Sequence, residues 1–387
     1  MSLNSTPSGQ RIHIAFFGRR NAGKSSLINA VTGQNLSIVS SEKGTTTDPV
    51  KKAMELLPLG PVVIIDTAGI DDEGDLGKLR VEKSMEVLNS TDIAVVVTEG
   101  ITKYEKKLID TLEKRNIPYI ICYNKSDINT YTNLKDNEIA VSAVQGNNID
   151  ALKNMLGRFI KPAEKPLISD LINEGDMVIL VTPIDESAPK GRIILPQQMV
   201  IRDILDSHAT AVVCQTQELK NTLNKLKENP KLVVCDSQVF GKVAKDLPED
   251  IPLTSFSVLM LRYKLDISVA KEGSKALDRL RDGDTLLISE GCTHHRQCKD
   301  IGTVKLPLWI REYTGKKLEF EFTSGGEFPK TVKKYALVVH CGGCMLNDAA
   351  IKSRMELCKE EGVPFTNYGV VISKVNGILD RAVRIFE

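Results

Sequence analysis

Gly18-Arg19-Arg20-Asn21-Ala22-Gly23-Lys24-Ser25 follows the apolar run Ile12-His13-Ile14-Ala15-Phe16-Phe17 and opens a helical stretch. A glycine-rich turn between strand and helix lets successive backbone N–H groups face one anion, and the helix N-terminus adds its dipole. That context makes the segment a phosphate loop rather than a loose turn. Lys24 should reach the β- and γ-phosphates of a nucleotide and Ser25 should ligate Mg2+, while Gly18, Asn21, Gly23 and Ser26 belong to the same binding set.

Further apolar runs, Val62-Val63-Ile64-Ile65, Ile93-Ala94-Val95-Val96-Val97 and Tyr119-Ile120-Ile121-Cys122, alternate with helical stretches from Arg11 to about Lys161. Short β-rich runs separated by helices imply a mainly parallel sheet covered on both faces, with ligands at the strand C-termini. Two more motifs fall there. Asp66-Thr67-Ala68-Gly69 supplies a carboxylate that can hold magnesium through water and a glycine N–H for the γ-phosphate. Asn124-Lys125-Ser126-Asp127 supplies a carboxylate able to accept two N–H bonds from guanine, a donor pair that adenine lacks, and Ser142-Ala143 fits the base-side loop. GTP is therefore expected over ATP.

The chain has 387 residues, 42% hydrophobic and 26% charged, enough apolar material for two or three folded cores. Lys plus Arg number 51 against 50 Asp plus Glu, so no global basic field exists to hold a phosphate backbone. Nucleic acid is not an expected partner. The polar N-terminus and the lack of a long apolar run suggest a cytoplasmic protein without membrane association. Lys161-Pro162-Ala163-Glu164-Lys165-Pro166 reads as a linker.

A second alternating block has strands at Met177-Val181, Ala211-Cys214 and Leu232-Cys235 and a helix about Gln217-Leu223. It shows no catalytic constellation. Asp185-Glu186 reads as a solvated loop, and the block is assigned to dimerisation. A third begins near Leu265, with a helix through Ala276-Leu280, strands at Thr285-Ile288, Tyr335-Val339 and Val370-Ile372, and a helix from about Asn347 to Glu360. The fold class is α/β: a P-loop nucleotide domain over residues 1–161, then two smaller α/β domains over 167–264 and 265–387.

Of eight cysteines, Cys122, Cys214, Cys235, Cys298 and Cys358 read as packing or surface thiols. The other three lie in Cys292-Thr293-His294 and His340-Cys341-Gly342-Gly343-Cys344, each after a strand, with His295 alongside. If those strands are parallel neighbours, the cysteines meet at one end of a sheet. Three thiolates and a variable fourth ligand suit a [4Fe-4S] cluster with one replaceable corner, and the same groups suit Cys3His zinc or a redox pair.

The N-terminal motifs resemble the translation-factor-related GTPases, in the branch of tRNA-modifying and ribosome-assembly enzymes. That resemblance implies that Gly44-Thr45-Thr46-Thr47-Asp48 is the first switch, with Thr46 on Mg2+; Thr47 stands where those relatives often have arginine. Lys24, Thr46, Asp66 and Gly69 would then carry catalysis. Ile70 replaces the water-orienting glutamine of Ras-like enzymes. In this branch the P-loop asparagine, here Asn21, helps bind K+, implying slow, K+-stimulated hydrolysis.

Across all three blocks the pattern resembles the HydF family of [FeFe]-hydrogenase maturation GTPases, whose Cys-x-His and later His-Cys-x-x-Cys are matched by Cys292, His294, His340, Cys341 and Cys344. The resemblance implies a [4Fe-4S] cluster on the three cysteines, with His294 or His340 as a possible fourth ligand. It also implies a homodimer through the middle domain and a scaffold or carrier role for the di-iron precursor. The implied partners are two radical-SAM maturases and apo-[FeFe]-hydrogenase. A tRNA-modifying enzyme and a ribosome-associated GTPase with structural zinc are the rival readings.

Overall fold

The computed structural model describes residues 6–34, 49–159, 165–184, 193–292 and 300–386. The chain forms two compact units, Met1–Ala163 and Glu164–Glu387. Among the described residues the first holds six strands: β1 (Ile12–Phe17), β2 (Val50–Leu56), β3 (Gly60–Asp66), β4 (Ile93–Thr98), β5 (Tyr119–Tyr123) and β6 (Glu138–Ala140). Their order is β2-β3-β1-β4-β5-β6, parallel except for the β2/β3 hairpin. The period-2 alternation of a strand explains why nearly every residue is apolar. Ile14 and Phe16 enter one core with Val62, Ile64, Val95 and Val97, while Ala15 and Phe17 enter the other with Val63, Ile65, Ala94 and Val96. Each fully buried Phe contributes about 1.5–3 kcal/mol of transfer free energy.

The second unit holds two four-stranded, all-parallel sheets. One comprises β7 (Met177–Val181), β8 (Thr210–Cys214), β9 (Leu232–Cys235) and β10 (Leu253–Ser255), in the order β10-β9-β7-β8. The other comprises β11 (Thr285–Ser289), β12 (Glu319–Thr323), β13 (Leu337–His340) and β14 (Phe365–Asn367), in the order β12-β11-β13-β14. The strand β11 is paired parallel with β13, Ile288 beside Val339 and Ser289 beside His340, as the cysteine argument required.

The two sheets share one compact unit because the last helix, Leu379–Val383, returns to the middle sheet. There Ala382 joins the core of Phe240 and Leu253, and its carbonyl accepts from Thr254 Oγ1 at 3.0 Å. The division read at Leu265 is therefore crossed by the chain's end.

Val370-Val371-Ile372, expected as a strand, lies in the helix Tyr368–Val375. All three are buried, so a β-branched run that suits a strand is accommodated in a helix packed on every side. Asn367 caps it by accepting from the N–H of Gly369 at 2.7 Å. The helix expected at Ala276-Leu280 is a 3-10 turn, Lys275–Arg279, that continues the α-helix Ile267–Ser274. Gly273 lets that helix approach β14, since a Cβ there would stand 1.9 Å from the Phe365 carbonyl oxygen. The helix read from Asn347 is present as Asp348–Glu360 with Asn347 as its cap. Asp185-Glu186 and the residues 161–164 of the linker lie outside the described residues.

Candidate functional site

The phosphate loop leaves β1 at Phe17 and enters the helix Lys24–Thr32. Two glycines are dictated by contact: a Cβ on Gly18 would lie 2.2 Å from the Val97 carbonyl oxygen, and one on Gly23 would lie 2.2 Å from Asn124 Nδ2, at a φ of +87°. Lys24 Nζ donates to the carbonyls of Gly18 at 3.0 Å and Arg19 at 2.9 Å, arching over the loop. Burial lowers its ammonium, and the charges of Asp66, Asp71 and Asp72 oppose that. Ser25 Oγ donates to Asp66 Oδ2 at 2.8 Å. Asp66 Oδ1 is buried with no hydrogen-bond partner among the described residues, and burial raises this carboxyl against the Ser25 bond and the Lys24 charge. A hydroxyl beside a carboxylate with a spare buried oxygen fits hydrated magnesium.

Gly69 runs against the same loop, where its Cβ would stand 3.0 Å from Arg20 N, and the Arg20 N–H donates to Asp71 Oδ1 at 2.6 Å. Ile70 turns inward, 8% exposed in the core of Phe17 and Val96, so it lends no polar group to water. Asn21 has the left-handed φ of 62°. Ser26 is the third residue of the helix Lys24–Thr32 and is exposed. Thr46 and its neighbours, Gly44 to Asp48, lie outside the described residues.

Asn124 joins the phosphate and base ends of the site. Its Nδ2 donates to the Ala22 carbonyl at 3.0 Å, and its Oδ1 accepts from the Ala143 N–H at 3.2 Å. Ser142 Oγ donates to Asp127 Oδ1 at 2.6 Å and accepts from Gln145 N at 3.1 Å, which fixes the carboxylate plane. Lys125, at φ 63°, donates to Glu99 Oε1 at 2.5 Å. The motif reading gave Arg19 no role. Here its Nε donates to Glu105 Oε1 at 2.8 Å and its Nη2 to the Gly100 carbonyl at 3.3 Å. The capping box Thr102-x-x-Glu105 was a visible signal for Glu105, though not for its distant partner.

In the second unit, Cys292 follows β11 and Cys341 follows β13. The two loops touch: a Cβ on Gly291 would lie 3.2 Å from the Cα of Gly343. The N–H groups of Gly291 and Gly343 donate to Cys341 Sγ at 3.0 and 3.3 Å. Burial pushes the Cys341 thiol up to about 11, with those N–H bonds pulling the other way. Cys344 is also raised by burial, opposed by the Lys264 ammonium. A metal that replaces the protons removes this burden. None of the seven described cysteines forms a disulfide.

Among the described residues no three His, Cys, Asp or Glu side chains gather closely enough to hold a single metal ion. Each cysteine of a cubane cluster takes a different iron, so cluster ligands stand around a volume instead of converging on a point. His340, expected as a possible fourth ligand, ends β13. It is 1% exposed, and both ring nitrogens are engaged, Nδ1 with the Cys341 carbonyl at 2.7 Å and Nε2 with Arg354 Nη1 at 3.0 Å. Burial first and the Arg354 charge second lower its pKa to about 3, which keeps the ring neutral. His294, His295 and Cys298 lie outside the described residues. Sequence reasoning missed two buried cations. Arg354 is 5% exposed; Lys264, its side chain 2% exposed, donates to the Leu346 carbonyl at 2.8 Å and Asp348 Oδ1 at 3.1 Å.

Three family models match the chain: a 50S ribosome-binding GTPase over residues 13–125, a Hydrogen maturase F dimerization domain over 167–265 and a Hydrogen maturase F tetramerization domain over 268–385. GTPase Der of Mycoplasmopsis agalactiae is 32% identical over 196 residues, 43% of this chain and 44% of that protein. The tRNA modification GTPase MnmE of Neisseria gonorrhoeae is 32% identical over 154 residues, 38% of this chain and 34% of that protein. The chain thus spans less than half the length of these curated relatives. Among solved structures, Aquifex aeolicus Era bound to GDP and AlF4− aligns at a TM-score of 0.34 with 19% identity, covering 52% of this chain and 92% of that one. The G domain of T. maritima FeoB aligns at 0.31 with 17% identity, covering 39% and 100%. With a GTPase domain followed by both domains of hydrogen maturase F, the chain belongs to the HydF family.

Proposed function

We propose that this chain is a GTP-hydrolysing scaffold and carrier in [FeFe]-hydrogenase maturation. It holds a [4Fe-4S] cluster on Cys292, Cys341 and Cys344, accepts the di-iron precursor as cargo and delivers it to apo-[FeFe]-hydrogenase. The observation that carries this reading is the parallel pairing of β11 with β13, which brings the two cysteine loops together in a chain that also has a GTPase domain. When bound, the cluster would supply an iron without a protein thiolate, open to an exchangeable group. Cys341 is prepared for it by two backbone N–H donors.

In the first unit Lys24 and the loop N–H groups hold the phosphates, Ser25 and Thr46 ligate Mg2+, and Asp66 acts on it through water. Gly69 offers its N–H to the γ-phosphate and Asp127 selects guanine. No glutamine orients water, so turnover is slow, and K+ at Asn21 supplies charge toward the transferred phosphate. GTP state controls exchange of partners, the two radical-SAM maturases and the hydrogenase, through the switch loops. The working domains are residues 1–161, 167–264 and 265–387. The matched family domains belong to an oligomerizing family, and the middle domain forms a homodimer. Among the described residues β8 is an edge strand of its sheet and carries Val213, 47% exposed, a surface suited to a second copy. The protein works in the cytoplasm; no helix among the described residues is long and apolar enough to cross a membrane.

The test is anaerobic iron, sulfide and zinc analysis with EPR after dithionite reduction, on the full chain and on Cys341→Ala. A reducible S = 1/2 signal lost in the variant supports the reading. Stoichiometric zinc without iron replaces it with a ribosome-associated or tRNA-modifying GTPase carrying structural zinc.

A further inference from the structure

Arg354 lies in the helix Asp348–Glu360, and its guanidinium is buried against the cysteine loops. Nη1 donates to Ser289 Oγ at 3.2 Å and meets His340 Nε2 at 3.0 Å; Nη2 donates to the Gly325 carbonyl at 2.7 Å. The ring of Phe328 packs against it, 5.0 Å from centroid to guanidinium carbon. These contacts fix the tautomer of His340. An arginine can only donate, so Nε2 accepts, and Nδ1 carries the proton and donates to the Cys341 carbonyl at 2.7 Å. The turn at Gly325 in turn donates its N–H to the Cys292 carbonyl at 3.3 Å. One guanidinium therefore ties the end of β11, the end of β13 and the turn after β12, and through them the segments of both Cys292 and Cys341.

Every one of these partners is neutral. Among the described residues no carboxylate pairs with Arg354, although it is only 5% exposed. A buried cation without a counter-charge is strongly disfavoured, so a fold that keeps one has an anion beside it. The guanidinium reaches the cysteine loop through His340, whose ring bridges Arg354 Nη1 at 3.0 Å and the Cys341 carbonyl at 2.7 Å. A cluster held by three thiolates is a net anion and gains one more negative charge on reduction.

We infer that Arg354 is the positioning residue and resident counter-charge of the cysteine centre, holding both ligand loops in register and raising the reduction potential of a cluster bound there. This rests on the cluster reading proposed above. The test compares anaerobically prepared full-length protein with Arg354→Gln and Arg354→Lys, by iron and sulfide content, EPR-monitored potentiometry and the rate of iron loss to a chelator. Arg354→Gln should keep the cluster and shift its midpoint potential to more negative values. Arg354→Lys, which keeps charge but loses the planar fork, should shift it less and release iron several-fold faster than the parent. Equal potentials in the parent and Arg354→Gln at equal iron content overturn the inference. Should Arg354→Gln fail to fold, Arg354→Lys decides it: iron loss at the parental rate overturns the positioning role. Parent protein without iron and sulfide overturns the cluster reading and the inference with it.

Discussion

Arg19→Met and Glu105→Leu, made singly and together, measure the clamp behind the phosphate loop. The Glu105 side chain is fully buried and that of Arg19 is 31% exposed, joined at 2.8 Å. Glu105 also accepts from the Thr102 N–H at 2.9 Å, closing the capping box of the helix Lys103–Lys114. The ion pair is worth about 1–2 kcal/mol once the exposure of Arg19 is discounted. Loss of the cap adds about 1 kcal/mol, which places Glu105→Leu about 2–3 kcal/mol below the parent. The double-mutant coupling should be about 1–2 kcal/mol. Hydrogen exchange of the amides in Lys103–Lys114, in the full chain, reads these values, and fluorescence of Trp309, the single tryptophan, follows the other unit as a control. Burial pushes the Glu105 carboxyl up, but bonds from Thr102 and Arg19 outweigh it and leave the group below its ordinary value. Its stabilisation is then complete above the unfolded pKa of about 4.3 and is lost as pH falls through the lower folded value, so parent and Glu105→Leu should converge on acidification. A coupling under about 0.5 kcal/mol at pH 7 would refute the clamp.

Asp127→Asn removes charge-assisted bonds to guanine and should weaken GTP binding by about 3 kcal/mol, roughly 150-fold, while xanthosine triphosphate gains. Titration with both nucleotides checks it, and an unchanged preference would discard the guanine assignment. Gly23→Ala drives a Cβ to 2.2 Å from Asn124 Nδ2. Left-handed strain and overpacking together cost about 2–5 kcal/mol, so GTP affinity should fall on the order of 100-fold with the circular dichroism spectrum kept; retained affinity counts against Asn124 as the joint of the site. Hydrolysis should run faster in K+ than in Na+, with the difference lost in Asn21→Ala. Equal parental rates in the two salts would remove K+ from the mechanism.

The nucleotide site was legible because its chemistry is written in contiguous residues and its strands are apolar on both faces, as Ile14-Ala15-Phe16-Phe17 shows. The same signature failed at Val370-Val371-Ile372, since full burial erases the periodicity that separates strand from helix. Local signals still lay on either side, the Asn367 cap and Gly377 beyond the helix end. The convergence of Cys292 on Cys341 needed only one assumption, that β11 and β13 are neighbours. Arg354 and Lys264 were not legible at all. A lone basic residue on a helix reads as solvated, and only packing between distant segments buries it.

Both centres use one construction, loops at the carboxyl ends of parallel strands with backbone N–H groups turned inward, yet their cations are balanced in opposite ways. Lys24 faces the opposing charges of Asp66, Asp71 and Asp72. These carboxylates compete for the ammonium when a phosphate leaves, so the charge is never stranded and release of the ligand is affordable at each turnover. Among the described residues Arg354 has only a hydroxyl, a neutral imidazole and a carbonyl as hydrogen-bond partners. With no acidic group among the described residues to take over, loss of the anion inferred beside it would strand a buried charge. The first arrangement suits an anion that comes and goes, the second one that stays. Under the carrier reading proposed above, a cluster that remains while cargo and nucleotide exchange would require both.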